Sequence, residues 1–444
     1  MAGIAGISTV NTSEEVSEML ATLCYRGKAG ISVFEKEGST IGIIWNEPEK
    51  VSVKEFLDAG KAGYYNSPGN YARVKPENGR FIMTRDELGG APIYYGKDKN
   101  GNICFASEIK ALLPHTKNII ELSPGHIFEG DRLRSYFHLQ AGEKTKETPS
   151  QIASGLFKIL DKAVSDCIRT EHTGSWLSGG LDSSAVCAMA TRHLKKLTTF
   201  AAGLKGAPDL EFAREVAGYI RSEHHEMIVS PDELTEILPQ VIYHLESFDA
   251  LLVRSSITNY LVARLASDYV AEVFSGEGGD ELFAGYEYLK SIPSENLEDE
   301  LLRITGTLHN TALQRVDRCA SAHGTNAHMI FINPEVVRYA FTIPVKYKIH
   351  GKTEKWILRK AMEGLLPEKI LRRPKAKFWE GAGVKELIAD YAGKSISDND
   401  YRKERDLKNG WVINSKEELL YYRIFREHFG SDIDLSWMGR TKTI

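Results

Sequence analysis

Apolar positions along the chain repeat with two different periods. Ile152, Leu156, Ile159, Leu160, Ala163 and Val164 fall on one face at helical spacing, which predicts an amphipathic helix. A short apolar run then reaches Leu177 and breaks into Ser178-Gly179-Gly180-Leu181-Asp182-Ser183-Ser184, after which residues 185–190 are apolar and helix-compatible. That order reads as strand, tight turn and helix start. Residues 197–204 read as the next strand and 209–217 as a helix. Residues 271–275 read as a strand running into Gly276-Glu277-Gly278-Gly279-Asp280-Glu281. Strand-like and helical stretches alternate beyond residue 150, which predicts a doubly wound α/β sheet. Before that point, residues 84–95 and 105–110 read as strands and turns. The polar stretch 140–150, with Gly142 and Pro149, reads as a linker.

The two glycine-rich turns carry the candidate chemistry. In the first, two glycines let the backbone turn sharply and bring its N–H groups close to an anion. Three hydroxyls and the positive end of a helix point into the same space, which suits a pyrophosphate. No Gly-Lys-Ser/Thr follows and Gly-x-Gly-x-x-Gly is absent, so neither common nucleotide fingerprint is present. Asp182, in the first helical turn, is placed to hold Mg²⁺. The plain alternative is a Gly-Ser turn with a helix-start charge. The second turn weighs against it, because glycines around three acids cost entropy without a compensating role. If both strands lie in one parallel sheet, both turns sit at its carboxyl edge, and Asp182 and Asp280 share the metal.

Composition narrows the picture only a little. At 444 residues the chain is long enough for two domains with substantial cores. A formal charge of −4 gives no nucleic-acid or membrane footprint. The five cysteines, Cys24, Cys104, Cys167, Cys187 and Cys319, are scattered without a Cys-x-x-Cys, which predicts neither a disulfide framework nor a zinc site and fits a cytoplasmic location. No long apolar span, signal peptide or internal repeat is visible. His224-His225 suggests a metal at first sight, but neighbours on a strand point to opposite faces, so a structural role is expected.

Ser178-Gly179-Gly180-Leu181-Asp182-Ser183-Ser184 followed by Ser275–Tyr286 resembles the asparagine synthetase family of ATP pyrophosphatases, which includes β-lactam synthetases and lasso-peptide cyclases. The resemblance implies an Ntn-hydrolase-like β-sandwich at residues 1–145 and an ATP-pyrophosphatase domain at 150–430. It implies ATP and Mg²⁺. Leu177 and Ala202 would pack on the base, and Ser178, Gly179, Gly180, Asp182, Ser183, Ser184, Ser275 and Gly276 would hold ATP and its pyrophosphate. Asp182 and Asp280 would bind the metal. Glu277, Lys375 and Arg254 would be the catalytic groups, with Glu277 a base near the acyl or amine group and the two cations neutralising phosphate charge.

Three departures from the family pattern matter. Glutamine-using members begin Met-Cys-Gly-Ile, whereas here the second residue is Ala2, whose methyl group cannot attack an amide. Leu23-Cys24-Tyr25-Arg26-Gly27-Lys28 lacks the family's His, Pro and Asp, and the glutamine-binding segments are not found between 30 and 80. The amino-terminal domain is therefore expected to be a shortened, inactive glutaminase fold, with Cys24 a half-buried helix residue. Finally, Asn326, His328 and Asn333 replace Glu, Arg and Asp in a segment that lies near the acceptor site in the family, which puts aspartate as substrate in question. The expectation is an ATP-dependent ligase that activates a carboxylate, aspartate or a related acid, as an acyl-adenylate and transfers it to ammonia or another amine. The alternatives are an intramolecular cyclase and a catalytically silent ATP-binding regulator. Expected partners are a small-molecule carboxylate and an amine, with a homodimer as the candidate assembly and neither nucleic acid nor membrane.

Overall fold

The computed structural model describes residues 3–46, 62–374, 384–408, 410–431 and 433–441. Ala2 and Lys375 lie outside the described residues. The amino-terminal part consists of two antiparallel sheets. One has the order β2 (Gly30–Lys36), β3 (Ser39–Trp45), β1 (Gly3–Ile7), β8 (Ile103–Ala106), β7 (Tyr94–Lys97) and β9 (Ile120–Glu121). The other runs β11 (Arg132–Ser135), β10 (His126–Glu129), β6 (Arg80–Arg85), β5 (Asn70–Glu77) and β4 (Ala62–Ser67). Along β5 buried and less buried residues alternate, as a strand with one face inward requires. Phe81 of β6 meets Phe105 of β8 edge to face with ring centroids 4.9 Å apart, so the two inner faces share one core. The helix Ser13–Thr22 lies close on β3, where Gly42 leaves room: a Cβ there would come within 2.5 Å of Leu20.

The segment after β11 is pinned rather than loose. Gly142 N–H donates to the Phe341 carbonyl (3.3 Å) and Thr145 N–H to Thr342 (3.0 Å), so this stretch follows the end of the helix Pro334–Thr342. The chain then enters the helix Pro149–Cys167, started by a capping box between Thr148 and Gln151. The expected apolar face is there: Ile152, Leu156, Leu160, Ala163 and Val164 are buried, while Ile159 is only partly covered.

The carboxyl-terminal part is built on a five-stranded parallel sheet, β14 (Glu223–Val229), β13 (Thr198–Leu204), β12 (Thr173–Trp176), β15 (Glu272–Ser275) and β16 (Asn326–Met329). β12, β15 and β16 are buried throughout, as parallel strands covered on both sides are. The chain builds outward from β12 through β13 to β14, then returns to add β15 and β16 on the other side. Right-handed crossovers in opposite directions place the helices Leu181–Ala190 and Pro208–Ile220 on one face and Ala250–Ser267 with Ala312–Ser321 on the other. The direction reverses between β12 and β15, which are paired from Thr173↔Glu272 to Ser175↔Phe274. Their carboxyl ends flank a topological switch point, where open α/β sheets bind ligands.

The two parts meet across a buried knot of charge. Arg26 donates to Glu108 (2.5 Å) and Asp317 (3.0 Å), Arg318 to Glu246 (3.1 Å), and Lys110 pairs with Glu108 and with Glu246 (3.1 Å). Their side chains are at most 4% exposed. Arg26, Glu108 and Lys110 come from the amino-terminal part and Glu246, Asp317 and Arg318 from the other, and the six charges cancel only when both contribute. Burial works against the Glu108 carboxylate, but Arg318, Lys110 and Arg26 outweigh it and hold the group well below the usual carboxylate range. A second link joins Glu121 of β9 to His309 (2.9 Å) and Arg85 (2.6 Å). No described helix is long and apolar enough to cross a membrane.

Candidate active site

The two glycine-rich loops stand side by side at the switch point. After β12 the chain passes Leu177 and Ser178 into Gly179, whose φ of 68° is open to glycine at little cost. A Cβ at Gly179 would also lie 2.4 Å from Phe212 Cβ. Gly180 then starts the helix Leu181–Ala190. The hydroxyls fold inward: Ser178 and Ser183 Oγ atoms are 3.1 Å apart, Ser183 Oγ accepts from Ser178 N–H (3.3 Å), and Gly180 N–H points to Ser178 Oγ (3.4 Å). Beside them Gly276 leaves β15 so close that its Cβ would sit 2.7 Å from Ser183 N. Gly279 does the same to the Asp182 carboxylate. Glycine at these two positions lets one loop lie directly on the other.

This contact brings Asp182 and Asp280 together. Both carboxylates bind one ammonium, that of Lys355, with Asp280 at 2.5 Å. Lys355 was not expected from the sequence. It sits immediately before the short helix Trp356–Ala361, in left-handed backbone with φ 53°, and its side chain is 3% exposed. A cation at a helix start opposes the helix dipole, and left-handed backbone is uncommon for lysine, so the position is held by the carboxylates it meets. Glu281, next to Asp280, accepts from Tyr286 O–H (2.6 Å); burial first and the Asp280 charge second push its carboxyl up to about 7.

The cleft above these loops encloses ≈ 1090 Å³ counted out to its open mouth. Its apolar lining is Leu177, Phe200, Ala202, Leu210 and Val262. Ser275, Gly276, Glu277 and Asp280 also line it, with Arg315, Lys355, Arg359 and Arg373. Arg359 pairs with the Glu354 carboxylate and donates to the carbonyls of Glu354 (2.8 Å), Leu371 (2.7 Å) and Arg373 (3.1 Å), and so shapes the chain leading to Pro374. Arg373 binds Asp209 (2.5 Å) and stacks 3.8 Å over Phe212. Glu277 is paired with Arg315, which also donates to Ser255 (2.6 Å).

An asparagine synthase family model matches residues 156–305 and 292–442. The chain belongs to the asparagine synthase family. A glutamine amidotransferase domain model also matches residues 49–156. The chain is 34% identical over 375 residues to the glutamine-hydrolyzing asparagine synthetase 2 of Arabidopsis thaliana, covering 79% of this chain and 65% of that protein. It is 33% identical over 377 residues to the enzyme of Zea mays (79% and 64%) and 32% over 383 residues to asparagine synthetase B of Escherichia coli (strain K12) (81% and 69%). The chain thus spans just under two thirds of the length of the two plant relatives.

Within this asparagine synthase fold, Leu177, Ser178, Gly180, Asp182, Ser183, Ala202, Ser275, Gly276, Glu277 and Asp280 all line the cleft. Gly179 lies behind its turn, and Ser184 is fully buried one step into the helix. Arg254 is not a lining residue: its guanidinium grips Glu417 on the helix Lys416–Phe429, with Nε at 2.9 Å, and Tyr421 donates to the same carboxylate. Asn326 and His328 also differ from expectation. Asn326 pairs with Glu272 at the entry of β16, His328 is wholly buried 3.3 Å from Glu272, and neither lines the cleft. Those two substitutions change the sheet interior, and Asn333 caps the helix Pro334–Thr342 by accepting from Glu335 N–H (2.9 Å), so none of the three lines the cleft. Cys24 is exposed rather than half-buried, in a single turn of 3₁₀ helix. His224 and His225 lie on β14 facing opposite ways, His224 toward Glu226 (3.2 Å) and His225 stacked by Phe200, and no metal-binding group of three or more acids, cysteines or histidines occurs among the described residues.

Proposed function

We propose that this chain is an ATP-dependent carbon–nitrogen ligase that activates a carboxylic acid, aspartate or a close relative, as its acyl-adenylate and passes it to ammonia. The observation that carries this reading is the convergence of Asp182 and Asp280, from two loops at the switch point, on one cation-sized point now filled by Lys355. Two hard carboxylate oxygens with open space toward the phosphate turn suit Mg²⁺, which keeps few protein ligands and completes its shell with phosphate oxygens and water. When bound, the metal would neutralise phosphate charge.

The chain's own groups then have distinct tasks. The apolar lining of Leu177, Phe200 and Ala202 takes the adenine. Ser178, Ser183 and the N–H groups around Gly180 take the β- and γ-phosphates at the start of a helix. The acceptor carboxylate attacks the α-phosphorus, the bond to the bridging oxygen breaks, and pyrophosphate leaves. Lys355, shifted from the aspartates onto phosphate oxygens, stabilises the charge that develops there, a task the family resemblance also gives to Lys375. Ammonia attacks the acyl carbon, Glu277 accepts its proton, and AMP departs.

Ammonia is preferred to glutamine because Ala2 has no thiol, Cys24 has no N-terminal amine to activate it, and Cys104 is buried with its thiol pushed up to about 12 by burial. The test is pyrophosphate release with ATP and Mg²⁺ over a panel of carboxylic acids, each with ammonia, with glutamine or with neither. Release with an acid plus ammonia, but not with glutamine, is the expected result. Equal rates with glutamine would overturn the nitrogen assignment, and silence with every acid would overturn the ligase.

A further inference from the structure

Lys348 ends the short helix Val345–Lys348, has no exposed surface, and carries a buried amine without a hydrogen-bond acceptor. The amine lies over the face of the Phe341 ring, 4.6 Å from its centroid. A ring face replaces only part of the water that a cation loses on burial. Two charges bear on the amine. Lys144, from the segment after β11, opposes its proton, and Glu298, from the helix Ser294–Gly306, favours it. Among the described residues no charge from the neighbouring helix Trp356–Ala361 acts on it. Burial comes first and, with Lys144, outweighs Glu298, bringing the amine down from 10.5 to about 7.

Phe341 couples this amine to the segment that joins the two parts of the chain. Its ring lies against Lys348, while its carbonyl accepts from Gly142 N–H (3.3 Å) and from the Lys144 ammonium (2.6 Å). The Lys144 ammonium is also paired with the Glu298 carboxylate. Lys144 is 34% exposed, so its charge can move into water, whereas Lys348 is sealed in. One carboxylate thus stands between two amines and is engaged by the outer one.

We propose that Lys348, Glu298 and Lys144 form a proton-driven latch on the segment joining the two parts. With Lys348 neutral, Glu298 holds Lys144, and residues 142–145 lie against the end of the helix Pro334–Thr342. A proton on Lys348 creates a buried cation, and Glu298 turns to it. Lys144 swings into solvent and residues 142–145 detach. The closed form favours the neutral amine, and the open form, with Glu298 on Lys348, favours the charged one. Opening therefore grows as pH falls toward about 7 and levels off below it, where Lys348 is protonated in the closed form as well.

The experiment is limited trypsin digestion of the full chain at pH 9 and pH 6.5, scored by cleavage after Lys144 and Lys146, for wild type, Lys348→Met and Glu298→Gln. Variants are compared with wild type at equal pH, which cancels the pH dependence of trypsin. Where reclosing outpaces cutting, these rates read the open population. The ratio of wild type to Lys348→Met should rise at least about tenfold from pH 9 to pH 6.5. Glu298→Gln, at a partly exposed position, should be cut faster than wild type at pH 9 and lose most of the pH response. An unchanged ratio to Lys348→Met overturns the latch. So does a Glu298→Gln chain that keeps the wild-type response, whether or not Lys348→Met folds. Cleavage that spreads across the chain at pH 6.5 overturns it too, because it marks global unfolding.

Discussion

Glu108→Gln tests the buried knot that joins the two parts of the chain. Glu108 has no measurable exposure and is shared by Arg26, Lys110 and the Tyr25 hydroxyl (2.5 Å), with Arg318 3.5 Å away. Glutamine keeps the shape and removes the charge. Three buried cations then face two anions, and the new amide N–H₂ group points at donors. Removing one partner of a buried ion pair costs about 3–5 kcal/mol, a large share of the roughly 5–15 kcal/mol that separates folded from unfolded domains. At about 2–4 °C per kcal/mol this lowers Tm by roughly 6–20 °C. The assay is urea unfolding, followed separately through signals from each part because they need not unfold together. Lys110→Met should cost a similar amount by leaving one negative charge over. The double variant restores neutrality and should be less destabilised than the sum of the singles, by about 0.5–3 kcal/mol. Additive effects would show that balance among the six charges is not what holds the junction, and the reasoning would fail.

Three further outcomes are expected. Gly276→Ala drives a Cβ into Ser183 N and separates the phosphate turn from the Asp280 loop; displacement by about 1 Å should lower pyrophosphate release roughly 10²-fold with little change in Tm. Lys355→Met leaves Asp182 and Asp280 facing each other without their ammonium; turnover should fall at least about 10²-fold, while the rise in Tm on adding Mg²⁺ grows beyond that of wild type. Glu121 is pushed up by burial, but His309 and Arg85 prevail and hold it at about 2 against an ordinary 4.5. A depressed carboxyl stabilises the fold above its unfolded pKa and stops doing so as pH falls through its folded one. The urea-midpoint gap between wild type and Glu121→Gln, worth about 3 kcal/mol at neutral pH, should therefore close between pH 4.5 and about 2, and a pH-independent gap would refute the ion pair.

Much of the site was legible because its information is local. Gly179-Gly180 and Gly276–Gly279 are turn chemistry written within a few residues of each strand end, and the acids they carry follow at once. Lys355 escaped because it arrives from 173 residues beyond Asp182. Its one local signal was a lysine heading a short helix, where the dipole disfavours a cation. The family resemblance gives Arg254 a place near the phosphates, and only the folded chain reveals Glu417 among its partners. Asn326 and His328 were read as near the acceptor from the family resemblance of their segment, which does not say that both side chains sit inside the sheet. The knot of charge was likewise invisible, since each half looks like ordinary surface charge until the other covers it.

The strand order β14-β13-β12-β15-β16 also sets a sequence of events during synthesis. β12, β13 and β14 leave the ribosome first and can form the apolar lining at Leu177 and Ala202. The flank of β12 that β15 will occupy stays open until residue 275 has emerged. Between Ser175 and its partner Phe274, elongation takes roughly 5–20 s, during which a row of backbone N–H and C=O groups has no mate. Nucleotide cannot steady this nascent half, because Asp280 and Lys355 have not yet been made. A chain stalled or truncated in that interval carries a sticky sheet margin with nothing to cover it. Such fragments should collect on chaperones or in aggregates, whereas truncation after β16 should not produce them.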